Sequence, residues 1–186
     1  MTPWLILLAG PNGSGKSTLA RQPEFSAKMS HETVVVINPD EIAKRAPLAT
    51  NPLIWSGREI RRQIEALTRS RKSLIIETTL SGNNHFRTVE DCKLLGYKIA
   101  LHFVFVSDLK LANLRVKLRV SQGGHDVSEK DQARRYERSF NNATRMITLC
   151  DEAFIYNNDG QFGHLRVATY HHGTAILKAL DLRWLP

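Results

Sequence analysis

The chain has 186 residues, 42% hydrophobic and 24% charged, which is the size and balance of one soluble globular domain. Its two cysteines, Cys92 and Cys150, lack CxxC spacing and exclude a disulfide framework or zinc site, and the N-terminal apolar run stops at Ala9, too short for a signal peptide or membrane span. Two reduced thiols and so short an apolar run lead to the expectation of a cytoplasmic protein. Lys and Arg total 26 against 18 Asp and Glu, a formal charge of +8, so the partners to expect are anionic: nucleotides, phosphosugars, nucleic acid or an acidic protein.

Trp4 to Ala9 is a continuous apolar run that predicts a strand buried on both faces of a parallel sheet. Ser17 to Arg21 can open a helix that Pro23 must end or bend. "TVVVIN", Thr33 to Asn38, predicts a second buried strand, and Pro39 breaks it. From Ser56 to Ser70, Ile60, Ile64 and Leu67 recur at helical spacing between Arg58, Arg61, Arg62 and Glu65. "SLIIET", Ser73 to Thr78, is a third strand, and Phe86 to Leu95 a helix closed by Gly96. Lys98 to Ser107 and Ala153 to Asn157 are a fourth and a fifth strand. Leu109 to Arg145, rich in Arg and Lys, predicts two helices joined by a mobile turn, and Gly173 to Leu182 a closing helix.

Strands alternating with helices imply an α/β fold with right-handed crossovers. No repeat, low-complexity tract or linker divides the chain, so residues 1–186 are expected to form a single domain.

Gly10, Gly15, Lys16 and Ser17 satisfy G-x-x-x-x-G-K-[ST], placed after a buried strand and before a helix. Glycines open backbone conformations closed to other residues and let successive N–H groups converge on an anion at a helix N-terminus. The expected nucleotide site is therefore Gly10, Pro11, Asn12, Gly13, Ser14, Gly15, Lys16, Ser17 and Thr18. Lys16 bridges the β- and γ-phosphates of ATP, and the Ser17 hydroxyl sits on Mg²⁺.

Two acids come directly after strands, where ligands of doubly wound sheets bind. Asp40 could orient and deprotonate an acceptor hydroxyl, hold magnesium through water, or cap the following helix. Glu77 closes the third strand, where it could tune magnesium or merely edge the core; Thr78 and Thr79 come next, with hydroxyls that could meet substrate. Arg115, Arg119, Arg134, Arg135 and Arg138 are candidates for a lid that closes over ATP and spreads its negative charge, or for a solvated basic surface. His125, in "GGHDV", could act as a ligand or fix a turn.

"AGPNGSGKST", "INPDEIA", "ETTLSG", "GYKIALHFVFV" and "RVKLRVSQGGHDVSEKDQARRYERS" together resemble the zeta toxin family of P-loop kinases, from about Leu5 to Tyr156. The resemblance implies a P-loop kinase-like three-layer sandwich: about five mostly parallel strands, helices on both faces and a helical lid at roughly residues 115–140. It implies transfer of the γ-phosphate of ATP to a sugar hydroxyl, such as that of UDP-N-acetylglucosamine, and an antitoxin protein as partner; no membrane partner is expected, and nucleic acid is the less favoured one. By the same resemblance the phosphate lysine is Lys16 and the catalytic base Asp40. Glu77 and Thr79 are the acid and threonine of the third strand, with Ser17 and Glu77 at the metal. The ATP-facing arginines are Arg119 and either Arg134 or Arg135. The sugar-nucleotide pocket is where this chain is expected to diverge. The competing readings are a nucleotide-dependent switch or nucleic-acid binder using the +8 charge, and a kinase for a nucleoside, dinucleotide or metabolite alcohol.

Overall fold

The computed structural model describes residues 2–22, 25, 34–123, 127–160, 163–179, 182 and 184–185, with the side chains of Asp40 and Leu53 excluded. His125 lies outside the described residues. The strands are β1 (Trp4–Ala9), β2 (Val35–Ile37), β3 (Leu74–Thr78), β4 (Lys98–Phe105), β5 (Glu152–Asn157), β6 (Leu165–His171) and β7 (Thr174–Lys178). The described helices are α1 (Lys16–Ala20), α2 (Pro39–Ala43), α3 (Pro52–Arg69), α4 (Asn84–Leu94), α5 (Leu109–Ser121) and α6 (Glu129–Ile147).

The sheet runs β2-β3-β1-β4-β5-β6-β7. The first five strands are parallel, and β6 and β7 join antiparallel. Register pairs Ala9 with both Thr78 and Phe103, so β3 and β1 end level and β4 runs two residues further, to Phe105. The chain leaves β1 for β2 and β3, then returns past β1 to β4 and β5. The crevice beyond the carboxyl end of β1 is therefore the point where the strand order reverses, the place where such sheets bind ligands.

Alternation along β1 divides the core. Leu5, Leu7 and Ala9 face a large cluster with Ile76, Phe103, Phe105, Val89 of α4 and Ala143, Met146 and Ile147 of α6. Ile6 and Leu8 face a smaller cluster with Val104, Phe25 and Leu19 of α1. Each fully buried Leu, Ile or Phe side chain contributes about 1.5–3 kcal/mol relative to exposure, so β1, wholly buried from Leu5 to Ala9, firmly anchors the loop that leaves its carboxyl end.

The α/β architecture, the parallel order of the first five strands and the paired helices of the basic segment match expectation, but several elements correct it. The sheet has seven strands rather than five. Residues 173 onward open not a closing helix but β7, joined to an unexpected β6. His172 and Gly173 both take positive φ, 47° and 76°, a tight reversal that lays Thr174–Lys178 back along β6. The strand β2 is an edge rather than a buried strand, with Val36 58% exposed. Helix α3 starts four residues early: Asn51 Oδ1 accepts the Ile54 N–H and Pro52 takes the first helical position, where its missing N–H costs nothing.

Candidate active site

The loop from Gly10 to Ser17 joins β1 to α1 at the switch point. Three of its positions need glycine. Gly10, Gly13 and Gly15 hold φ of 144°, 74° and 98°, and a Cβ on them would strike the Val104 carbonyl, the Ala112 carbonyl and the Asn158 amide respectively. The loop is thus pressed between β4, α5 and the segment after β5. Lys16, 9% exposed, curls back so that Nζ donates to the carbonyls of Gly10 at 2.9 Å and Pro11 at 3.1 Å. An ammonium held in that way sits over the loop's own concavity, a cradle open to an anion.

The Ser17 hydroxyl donates to Glu77 Oε1 at 2.9 Å. Asn38 Nδ2 donates to Glu77 Oε2 at 2.8 Å, and Asn38 Oδ1 accepts the Glu41 N–H at 3.2 Å, capping α2. One hydrogen-bonded chain therefore joins the phosphate loop, the acid at the end of β3 and the helix that carries Asp40. Asp40 is the second residue of α2, directly past the carboxyl end of β2. Its side chain is outside the described set.

Past Glu77, Thr79 Oγ1 and Ser81 Oγ hydrogen-bond at 2.9 Å, both half-buried. Between them Leu80 is fully buried with φ 54°. Its carbonyl accepts from Asn142 Nδ2 of α6 at 2.8 Å.

The arginines separate by environment. Arg134 is exposed and paired to Asp131 at 2.6 Å, one turn back on α6. Arg135 is half-buried on the helix face of Gln132, Ser139 and Asn142, all three buried. Of that pair, Arg135 is the less exposed. Arg119 and Arg138 are exposed on α5 and α6. Arg115 is half-buried and donates to the Asn158 carbonyl at 2.9 Å.

The segment after β5 supports the loop from the other side, which sequence reasoning missed. Asn158 Nδ2 donates to the Ser14 carbonyl at 2.8 Å. His164 Nε2 lies 3.0 Å from the Gly15 carbonyl and its Nδ1 3.2 Å from Gln22 Nε2. A carbonyl needs a donor and an amide nitrogen needs an acceptor, so these partners select the neutral ring protonated at Nε2. Burial, with Arg115 nearby, keeps its pKa below the ordinary value despite that carbonyl. Asp159 accepts from the Ser107 N–H at 2.7 Å. Burial alone would raise its pKa; bonds from Ser107 and Asn157 and the charge of Arg115 hold it low. Asn158 could have been flagged as a polar residue just past a parallel strand; nothing local marks His164.

The donor set fits a phosphate and a hard divalent cation. Glycines whose missing Cβ atoms leave room, an ammonium, a hydroxyl and one carboxylate are what Mg²⁺–nucleotide sites use, since Mg²⁺ keeps waters and phosphate oxygens as its other ligands. No cluster of three or more His, Cys, Asp or Glu occurs among the described residues. No helix among them is long and apolar enough to cross a membrane.

Comparison with known proteins agrees. A protein of Haemophilus influenzae described as uncharacterized is 29% identical over 126 residues, 67% of this chain and 86% of its own length. The AvrRxo1-ORF1:-ORF2 crystal structure with ATP superposes with a TM-score of 0.68 at 18% identity, over 96% of this chain and 61% of that one. This chain is thus under two thirds of that protein's length. A structure of the PezAT chromosomal toxin–antitoxin system of Streptococcus pneumoniae gives a TM-score of 0.67 at 17% identity, over 90% of this chain and 72% of that one. These likenesses show the fold. A profile of the AAA domain family matches residues 5–142, well over half of the chain. The protein therefore belongs to the AAA domain family, with the P-loop nucleotide-binding fold of kinases.

Proposed function

We propose that the chain is an ATP-dependent kinase that phosphorylates a hydroxyl of a sugar nucleotide of the UDP-N-acetylglucosamine type, and that an antitoxin protein restrains it. The observation that supports this most is the Ser17–Glu77–Asn38 chain. It brings the loop hydroxyl and the strand-end carboxylate next to the helix bearing Asp40, an arrangement that suits in-line transfer to an alcohol.

In this reading the loop amides from Gly10 to Ser17 hold the ATP phosphates and Lys16 neutralises their β and γ oxygens. Ser17 and Glu77 would hold Mg²⁺, which when bound would offset phosphate charge. Thr79 steadies the acceptor. Asp40 aligns its hydroxyl and takes the proton as the oxygen attacks the γ-phosphorus; the bond to the bridging oxygen breaks and ADP leaves with its electron pair. Arg119 and Arg135 close from a lid formed by α5 and α6 and exclude water.

The test is incubation of the purified protein with Mg²⁺–ATP and a panel of UDP-sugars, nucleotides and metabolite alcohols, with products read by mass spectrometry. A phosphorylated UDP-sugar is expected. Lys16→Ala should abolish turnover, and Asp40→Asn should bind ATP normally but lose roughly 10²–10⁴ in kcat. An unchanged kcat in Asp40→Asn removes that residue from the mechanism. Product on a nucleoside or metabolite alone replaces the acceptor class.

A further inference from the structure

The turn from Thr78 to Ser81 is held more tightly than its length explains. Leu80 is a bulky residue at φ 54°, a left-handed conformation that costs a side-chain-bearing residue about 1–2 kcal/mol. Such strain persists where the surroundings over-determine it, and it gathers at functional sites. Each polar atom of Leu80 is engaged. Its N–H donates to Thr78 Oγ1 at 2.9 Å and its carbonyl accepts from Asn142 Nδ2 at 2.8 Å, while its side chain is wholly buried. Thr78 Oγ1 in turn lies 2.7 Å from His85 Nε2, on the first turn of α4. Because that oxygen already accepts the Leu80 N–H, its own proton is free to point at a neutral imidazole nitrogen. Burial lowers the His85 pKa, which favours that neutral ring.

We propose that His85 and Asn142 are positioning residues, gripping the Leu80 turn from α4 and α6 so that the Thr79 and Ser81 hydroxyls are presented as a pair to a hydroxyl-bearing, sugar-like acceptor. The assignment rests on the kinase reading of the site. The residues that flank the strained position carry two further hydroxyls, half-buried and bonded to each other across it. Asn142 shares its helix face with Arg135, so in this reading the helix assigned to the phosphates also sets the acceptor turn. His85 acts through Thr78 and touches no substrate.

The experiment compares wild type with His85→Ala, His85→Gln and Thr78→Val. Melting temperature first confirms folding, with near-isosteric Thr78→Val as the second variant should His85→Ala not fold. Three quantities are then read: amide hydrogen exchange of the peptide spanning residues 76–84, affinity for a fluorescent ATP analogue, and kcat and KM for phosphorylation of UDP-N-acetylglucosamine. In His85→Ala, exchange at Thr79–Ser81 should quicken and the acceptor KM rise roughly 5- to 100-fold, the range expected for one lost buried hydrogen bond, while ATP affinity stays within about twofold. His85→Gln, which can still bond Thr78, should recover most of the loss. The double variant His85→Ala/Thr78→Val should be no worse than Thr78→Val alone. Unchanged exchange in a folded variant overturns the proposal, and so does an equal loss of ATP and acceptor affinity, the mark of a general structural role. Should wild type phosphorylate no UDP-sugar, the acceptor reading fails by itself. Exchange then decides the clamp: faster exchange with ATP affinity intact upholds it, and unchanged exchange sinks it.

Discussion

Gly15 is where residue chemistry is most exposed to test. Its φ of 98° suits glycine, and the space its missing side chain leaves is occupied by the Asn158 amide, itself bonded to the Ser14 carbonyl. In Gly15→Ala either Asn158 is expelled or the loop flattens, and in both cases the amides leave their convergent arrangement. Strain of this kind costs about 1–3 kcal/mol, which should weaken ATP binding roughly 5- to 150-fold. Calorimetric titration checks it, and wild-type affinity would show that Asn158 does not support the loop. The loop itself was legible in the sequence because its geometry lies in eight consecutive residues. Its supports were not. Asn38 meets Glu77 across 39 positions, Asn142 meets Leu80 across 62, and Asn158 and His164 meet the loop across 144 and 149. Spacing cannot announce such pairs; the fold creates them. The choice between Arg134 and Arg135 was illegible for another reason. Adjacent helical positions point about 100° apart, and only packing says which one faces inward.

At the scale of the element, α3 carries a titrating contact with a definite sign. Glu59 accepts from Arg62 Nε and Nη2 at 2.9 and 2.7 Å and from Gln63 Nε2 at 2.8 Å. The Arg62 bonds first, then Gln63, pull its pKa down to about 2 from 4.5. A carboxylate with a lowered folded-state pKa stabilises above its unfolded value and loses that contribution as pH falls through the folded one. Wild type should therefore melt higher than Glu59→Gln above pH 5, with the difference shrinking between about pH 4.5 and 2. Arg62 is exposed, so the effect is small and should fade in high salt. A pH-independent difference would mean that the pair does not form in solution. The elements themselves were read well where period and length agreed, as in β1, β3, β4 and α3. The reading failed at Thr174–Lys178, where a short apolar run carries no decisive period. Pairing with β6 settles it as a strand, and a two-residue reversal at His172–Gly173 is what brings the partners together.

Across the whole molecule, the elements that meet at the phosphate loop span the described chain: β1 and α1 within it, β3 through Glu77, β4 at Gly10, α5 at Gly13 and the segment after β5 at Gly15. The parallel order of five strands comes from alternating strand and helix signals, and with it the location of the site at the carboxyl ends. The antiparallel pair β6–β7 lies outside that logic and leaves the switch point unaltered. Because one ligand engages so many elements, its binding should be felt as global stability. At a concentration 100 times its dissociation constant, a ligand specific to the folded state adds about 2.7 kcal/mol. For a domain of this size each kcal/mol raises Tm by about 2–4 °C, so Mg²⁺–ATP should raise the midpoint by roughly 5–11 °C. Chelating the metal should remove part of the shift if Ser17 and Glu77 share it as proposed. Lys16→Ala should remove nearly all of it, whereas Asp40→Asn should keep it, because Asp40 is assigned to the alcohol and not to the nucleotide. A full shift in Lys16→Ala would place the nucleotide elsewhere on this basic surface. Loss of the shift in Asp40→Asn would move that carboxylate from the acceptor to the metal.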